Sequence, residues 1–241
     1  MDALDELPPA LPHGEIEEVF PDVFFVTGTM KTVLMDAPWH FSRNMTVVRD
    51  GGDLTLVNPM RLDEAGLKKL EALGRIAHVV QIGALHDRDN AFYKQRYGAT
   101  FWAPPGTQHA YGLVPDKVLA PDSEVPFKGC SVFAFETTRM PECVLRIDRA
   151  GGILVACDAL QNWVEPNEYF SDESREMMRG MGFFQPANFG PLFMQVNQPR
   201  IGDYARLGAI PYRHALCGHG APLRDNAAEA YAERTRLVFG T

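Results

Sequence analysis

The sequence predicts a single α/β domain whose two halves share a strand-rich order closed by a helix. Three observations carry that reading. A β-hairpin signal fills Met45 to Val57, where Asp50-Gly51-Gly52-Asp53 separates two runs of apolar and β-branched residues. Strand and helix patterns alternate from there to the Pro104-Pro105-Gly106 break, and the second half then repeats strands first and a helix last. No Ser/Gly linker, charge block or low-complexity run divides the 241 residues, so one domain over 15–241 is expected after a loose arm over 1–14, rich in Pro and acid.

Taken in order, a first strand is expected over 15–27, centred on Phe24, Phe25 and Val26, and a second over 32–35. Pro38-Trp39-His40-Phe41 reads as an aromatic loop that lines a site or plugs the core. After the hairpin and Asn58-Pro59, Asp63 is a good N-cap, and Leu62 and Leu67 have hydrophobic-staple spacing. Leu67, Leu70 and Leu73 make one apolar helix face that Gly74 ends. A buried strand follows, with β-branched Val79, Val80 and Ile82, closed by Gly83. A helix over 91–97, with Asp87 or Asp89 as its cap, leads to a strand over 100–103.

The second half offers strands over 131–136, 143–147 and 153–157, the last two joined by Asp148-Arg149-Ala150-Gly151-Gly152. The Met- and Phe-rich stretch 161–211 reads either as helical elements leaning over a pocket or as a satellite core. A short strand over 213–217 follows, and Asp225 is placed to cap a last helix over 226–238.

Composition narrows the function classes. Hydrophobic residues at 46% and charged residues at 22% fit a soluble globular protein with a substantial core. A formal net charge of −8, unopposed by any Lys/Arg cluster, argues against nucleic acid or an anionic membrane as partner and leaves a small molecule. The acidic N-terminus lacks the apolar run of a signal peptide, and no run nears the ~20 residues of a membrane span. Cys130, Cys143, Cys157 and Cys217 are far apart and form no C-x-x-C pair. Free thiols in a reducing cytoplasm are the expectation.

Chemistry gathers where strands end. Gly83-Ala84-Leu85-His86-Asp87-Arg88-Asp89-Asn90 offers nitrogen and oxygen ligands at the end of a rigid strand, as a divalent cation requires. Cys157-Asp158 ends a second apolar strand with a carboxylate. Gly218-His219-Gly220 ends a third with an imidazole between two glycines, which let another group approach the ring. Glu136-Thr137-Thr138-Arg139-Met140-Pro141-Glu142 is a polar loop between two strands. Each feature also has a plain reading: Asp as a cap or turn residue, His as a rim residue.

Their order resembles the metallo-β-lactamase fold superfamily over about 15–238. In that family a hairpin and helix lead to a strand ending in a T-H-x-H-x-D-H loop. A P-G-H-T-P-G-like loop, a strand ending in G-D or similar, and a G-H before the closing helix follow. The resemblance implies an αββα sandwich, two mixed β-sheets flanked by helices, with one or two metals, commonly zinc, between the sheet edges. The last two motifs carry over onto Asp158 and His219. Matching Asp89 to the motif aspartate puts Leu85 and Asp87 where two histidines belong, Asn90 where a third belongs, and His86 one position out of register. Matching Pro141 to the second proline puts Arg139 where another histidine belongs, and Asn58 stands for the aspartate after the hairpin.

Two functions follow from the resemblance. The first is a hydrolase with at most one metal, zinc before iron or manganese, held by His86, Asp89, Asp158 and His219. Asp158, Asp89 and Arg139 would act in catalysis, and Arg139, Trp39, His40 and His109 would bind substrate. The second is a non-catalytic relative in which Arg139 replaces the lost metal charge beside Asp158 or Asp89.

Overall fold

The computed structural model describes residues 3–240. Two sheets face each other. The first runs in the order β1 (Glu17–Phe20), β2 (Val23–Leu34), β3 (Ala37–Asp50), β4 (Asp53–Val57), β5 (Arg75–Val80), β6 (Thr100–Ala103) and β7 (Lys117–Val118). Its strands are antiparallel up to β4 and parallel from there on. The second contains β8 (Cys130–Ala134), β9 (Cys143–Ile147), β10 (Ile153–Ala156) and β11 (His214–Cys217), with β10 and β11 adjacent and parallel.

Three apolar layers hold these sheets. Phe25, Val48, Val80 and Ile82 of the first sheet meet Leu145, Ile147, Val155 and Leu216 of the second in the central layer. The outer face of the first sheet is covered by α1 (Glu64–Leu73) and α2 (Asn90–Tyr97), which bury Leu67, Leu70, Phe92 and Tyr93. The outer face of the second is covered by α5 (Ile201–Gly208) and α6 (Ala227–Phe239) through Tyr204, Leu207 and Tyr231. The layering is the expected αββα sandwich. A fourth cluster, Trp39, Trp163, Phe170, Met178 and Phe183, lies where α3 (Asp172–Gly180) meets β3, and the short α4 (Pro191–Asn197) follows it in the chain. Among the described residues no helix is long and apolar enough to cross a membrane.

Asp63 caps α1 as expected, accepting from the Gly66 N–H at 2.7 Å. Several elements differ from the sequence reading. The strand expected over 15–27 is broken at Asp22 (φ 60°), and the second piece continues unbroken to Leu34. Pro38–Phe41 is strand rather than loop, because β2 and β3 meet across a two-residue turn at Met35 and Asp36, both at positive φ. That turn needs the left-handed conformation Gly and Asn favour, and with neither present it left no signal. Neither Asp87 nor Asp89 caps α2 through its side chain: Asp89 holds the cap position without a capping hydrogen bond, and Asp87 accepts from the Ala110 N–H. Asp225 pairs with Arg213, and Asn226 precedes α6. Residues 3–13 lie against the first sheet rather than hanging loose. Leu7 is buried, Arg61 donates to the Leu7 and Pro8 carbonyls, and Arg88 donates to that of Pro9. Residues 1 and 2 of the expected arm lie outside the described residues.

Candidate metal centre

Parallel pairing of Ala156 with Cys217 brings the ends of β10 and β11 side by side, so the residues just beyond them are neighbours. His219 Nε2 stands 3.1 Å from Asp158 Oδ1. The chain leaving β5 approaches from the other sheet. Gly83 bridges to Glu142, and a side chain there would meet Cys157 Sγ and, at 2.7 Å, Glu142 Oε2. That close approach carries His86 into the site, with Nε2 3.2 Å from His219 Nε2 and 3.6 Å from Asp158 Oδ1. Cys157 Sγ belongs to the same group, within 4.8 Å of the donor atoms of His86 and Asp158.

Hydrogen bonding fixes which atoms carry lone pairs. His219 Nδ1 faces the Ser42 carbonyl at 3.1 Å and must donate to it, which leaves the lone pair of the neutral ring on Nε2. That lone pair faces an Asp158 oxygen and the second imidazole. His86 Nδ1 is buried without a partner. Burial lowers the His86 pKa against the pull of Asp158. Burial works the other way on Asp158, but the two imidazoles, when either carries a proton toward it, outweigh burial and hold the carboxyl well below its ordinary value. A neutral imidazole and an ionised carboxylate are the forms that ligate a metal.

Two ionisable groups that the sequence reading passed over also line the site. Glu142 is buried, and its Oε1 accepts from the Asp158 and Ala159 N–H groups at 2.9 and 3.0 Å. Burial and the Asp158 charge push its pKa well above the usual carboxylate range despite those bonds. Arg43 is buried in β3. Its Nη2 donates to the Asn58 and Pro59 carbonyls, its Nη1 lies 3.9 Å from Asp89, and its Nε has no partner.

The expected site residues divide. His86, Asp158 and His219 come together. Asp89 does not join them: it pairs with Arg88 at 2.5 Å and faces Arg43. Arg139 is exposed and donates to Gln198, while its N–H donates to the Asn197 carbonyl, so it pairs with neither Asp158 nor Asp89. Arg88 and Arg43, not Arg139, are the arginines beside Asp89. Trp39 lines the cavity described below, but His40 and His109 do not. The His40 N–H donates to Ser174 Oγ in the packing of α3, and His109 Nδ1 bonds Gln81 Oε1 behind β5.

Searches of family models and of curated proteins match nothing. Solved structures do match. A metallo-β-lactamase from Hirschia baltica superposes with a TM-score of 0.58 at 16% identity, covering 93% of this chain and 98% of that one. The DIM-1 metallo-β-lactamase gives 0.60 at 14%, covering 95% and 100%. The FIM-1 metallo-β-lactamase of Pseudomonas aeruginosa, in its mono-zinc form, gives 0.60 at 14%, covering 96% and 98%. The chain has the metallo-β-lactamase fold.

In that fold the gap between the sheets opens here into a cavity of about 330 Å³. Its walls are apolar, with Trp39, Phe41, Leu85, Phe183 and Phe193 among them, and Arg43, His86, Glu142, Asp158 and His219 are polar groups within it. The donor chemistry suits a metal ion. Ligands about 2 Å from a tetrahedral zinc stand about 3.3 Å apart, and the three separations here run from 3.1 to 3.6 Å. Two imidazoles and a carboxylate also suit iron or manganese.

Of the residues missed in the sequence, Glu142 left one signal, an acid directly between Pro141 and an apolar strand. Arg43 left another, a cation inside the Ser42-Arg43-Asn44 triplet just before the Met45–Val48 run.

Proposed function

We propose that this protein is a metal-dependent hydrolase that uses a single metal, zinc before iron or manganese, on an apolar small molecule. The observation that carries this reading is the meeting of His86 Nε2, Asp158 Oδ1 and His219 Nε2 in an apolar cavity. The mono-zinc form of one structural neighbour supports it. When bound, the metal supplies a Lewis acid and acidifies a water.

The chain's own residues do the rest. Ser42 orients His219 through Nδ1. Two N–H groups occupy Oε1 of Glu142, which leaves Oε2 as the oxygen through which this carboxyl, raised in pKa by burial, would pass a proton to a leaving group. The aromatic walls exclude water from the reacting bond. In the motif register Leu85, Asp87 and Arg139 fall where histidines for a further ion belong, and this supports a single-metal site. Net charge supports a small-molecule partner rather than nucleic acid or a membrane, and the free cysteines support a cytoplasmic setting.

One observation favours a non-catalytic ligand binder instead: the buried Arg43 beside Asp89 supplies positive charge without a metal. Metal analysis of the purified protein separates the two readings. The hydrolase requires about one equivalent of metal, removable by chelator and lost in an Asp158→Ala, His219→Ala double variant. Equal, sub-stoichiometric metal in both proteins would replace it with the binder.

A further inference from the structure

Arg43 is placed unusually for a structural arginine. It comes from the middle of β3, is buried, and forms part of the cavity lining with His86, Asp158 and His219. Only Nη2 makes hydrogen bonds, both to carbonyls, and Nε makes none. The nearest carboxylate, Asp89, is held more closely by Arg88, at 2.5 Å against 3.9 Å. A buried guanidinium with donors to spare and half a counter-ion is costly unless an anion completes it. Burial accordingly lowers its pKa more than Asp89 and Asp158 restore it.

The wall above it restricts what that anion is attached to. Met30, Thr32 and Leu34 on β2, and Trp39 and Phe41 on β3, alternate along the hairpin on the same face as Arg43, and all line the cavity. A free inorganic anion would leave these residues uncovered.

We propose that Arg43 is a carboxylate-binding subsite and that the cavity takes an apolar acid, its head on the Arg43 guanidinium and its body along the Trp39–Phe41 wall. This deepens the proposed function and rests on that cavity being its substrate site. It makes Arg43 a specificity-determining residue, separate from the three metal donors. With Nη2 held by two carbonyls, the guanidinium offers a carboxylate its remaining N–H groups, a charge-assisted hydrogen bond that an alcohol does not match.

Trp39 and Trp163 line the cavity, so intrinsic fluorescence reports its filling. The probes are sodium octanoate and 1-octanol, of equal chain length, titrated into the protein as purified and again with chelator. Octanoate should bind at least about tenfold more tightly, the worth of one charge-assisted hydrogen bond. The preference should survive chelation and vanish in Arg43→Gln, with octanol affinity unchanged. Arg43→Gln removes two backbone contacts, and retained octanol binding shows that its cavity is intact. Arg43→Lys, which keeps the charge, should retain part of the preference. Equal affinities in the wild type, or a preference that disappears on chelation or persists in Arg43→Gln, would overturn the subsite. Metal content is measured separately, so loss of the metal reading leaves this result standing, and the converse holds.

Discussion

The two sides of the site are built on different supports. Asp158 and His219 stand just past the ends of two adjacent parallel strands, and the ladder between β10 and β11 sets their separation. Opposite them, His86 comes from a loop anchored by one backbone bridge, Gly83 to Glu142, and shaped beyond it by side chains such as Gln81, which donates to the Gly83 carbonyl. The loop presents five polar or charged side chains from His86 to Asn90 and sends one donor into the site. Strand-end ligands are thus fixed by backbone pairing, whereas loop ligands are chosen by whichever neighbours hold the loop. Asp89 shows the second rule: Arg88 and Arg43 hold it away from the site.

The sharpest test compares the two aspartates. Asp89→Ala leaves Arg43 buried without a carboxylate partner, and the expected cost is about 4 kcal/mol. Asp158→Ala should abolish metal binding, yet change the stability of the chelated protein by only about 1 kcal/mol, since two imidazoles remain beside it. Urea denaturation with chelator measures both. Equal losses would mean that strand-end and loop carboxylates are not distinct in role.

Glycines test how each side tolerates crowding. An added methyl at Gly220 (φ 91°) would strike the Asn162–Trp163 backbone, whereas one at Gly83 would strike mainly the side chains of Cys157 and Glu142. Gly220→Ala should cost about 3 kcal/mol and Gly83→Ala about 2 kcal/mol, because backbone yields less. Thermal melts would refute the contrast if the order were reversed.

The loop between β8 and β9 is a third kind of support, pinned by a helix. Asp203 of α5 accepts from the Glu136 and Thr137 N–H groups, the Thr137 hydroxyl and Arg206. Burial would raise its pKa, but these bonds together hold it below the ordinary value. Its folded pKa is therefore below the unfolded one. The stabilisation is present above about pH 4 and is lost as pH falls through the folded pKa. Asp203→Asn should cost about 1–2 kcal/mol at pH 7, and the gap to wild type should narrow in acid. A gap that stays constant down to pH 2 would rule out this linkage.

The smallest effect belongs to Arg139. Exposed and bonded to Gln198, its alanine variant should stay within about 0.5 kcal/mol of wild type and keep full metal content. A large loss in either would restore the role expected from the sequence.

Sequence legibility follows the same division. Apolar strands closed by Asp158 and by Gly218-His219 could be read because strand pattern and terminal residue are contiguous. Arg139 was misread because one proline set the register, while Asn197 and Gln198, nearly sixty residues on, turn the loop outward. His86 was visible as a good ligand, but choosing it over Asp89 needed Arg43, which pairs with that aspartate only in three dimensions. Glu142 reads in the sequence only as part of a polar loop, because the Asp158 and Ala159 N–H groups it accepts from lie sixteen and seventeen residues on.

The long β2–β3 hairpin has a consequence for how such a cavity can change over generations. Its pairing runs without a break from Val23↔Val48 to Leu34↔Ala37, and one face supplies the cavity wall with Arg43 at its inner end. Side chains alternate along a strand, so inserting or deleting a single residue between Ala37 and Arg43 would send either the wall residues or Arg43 to the opposite face. A change of two residues preserves the pattern and only moves the rim. The wall is therefore sensitive to parity rather than to length, and lineages of this protein are free to deepen or shorten the cavity in steps of two.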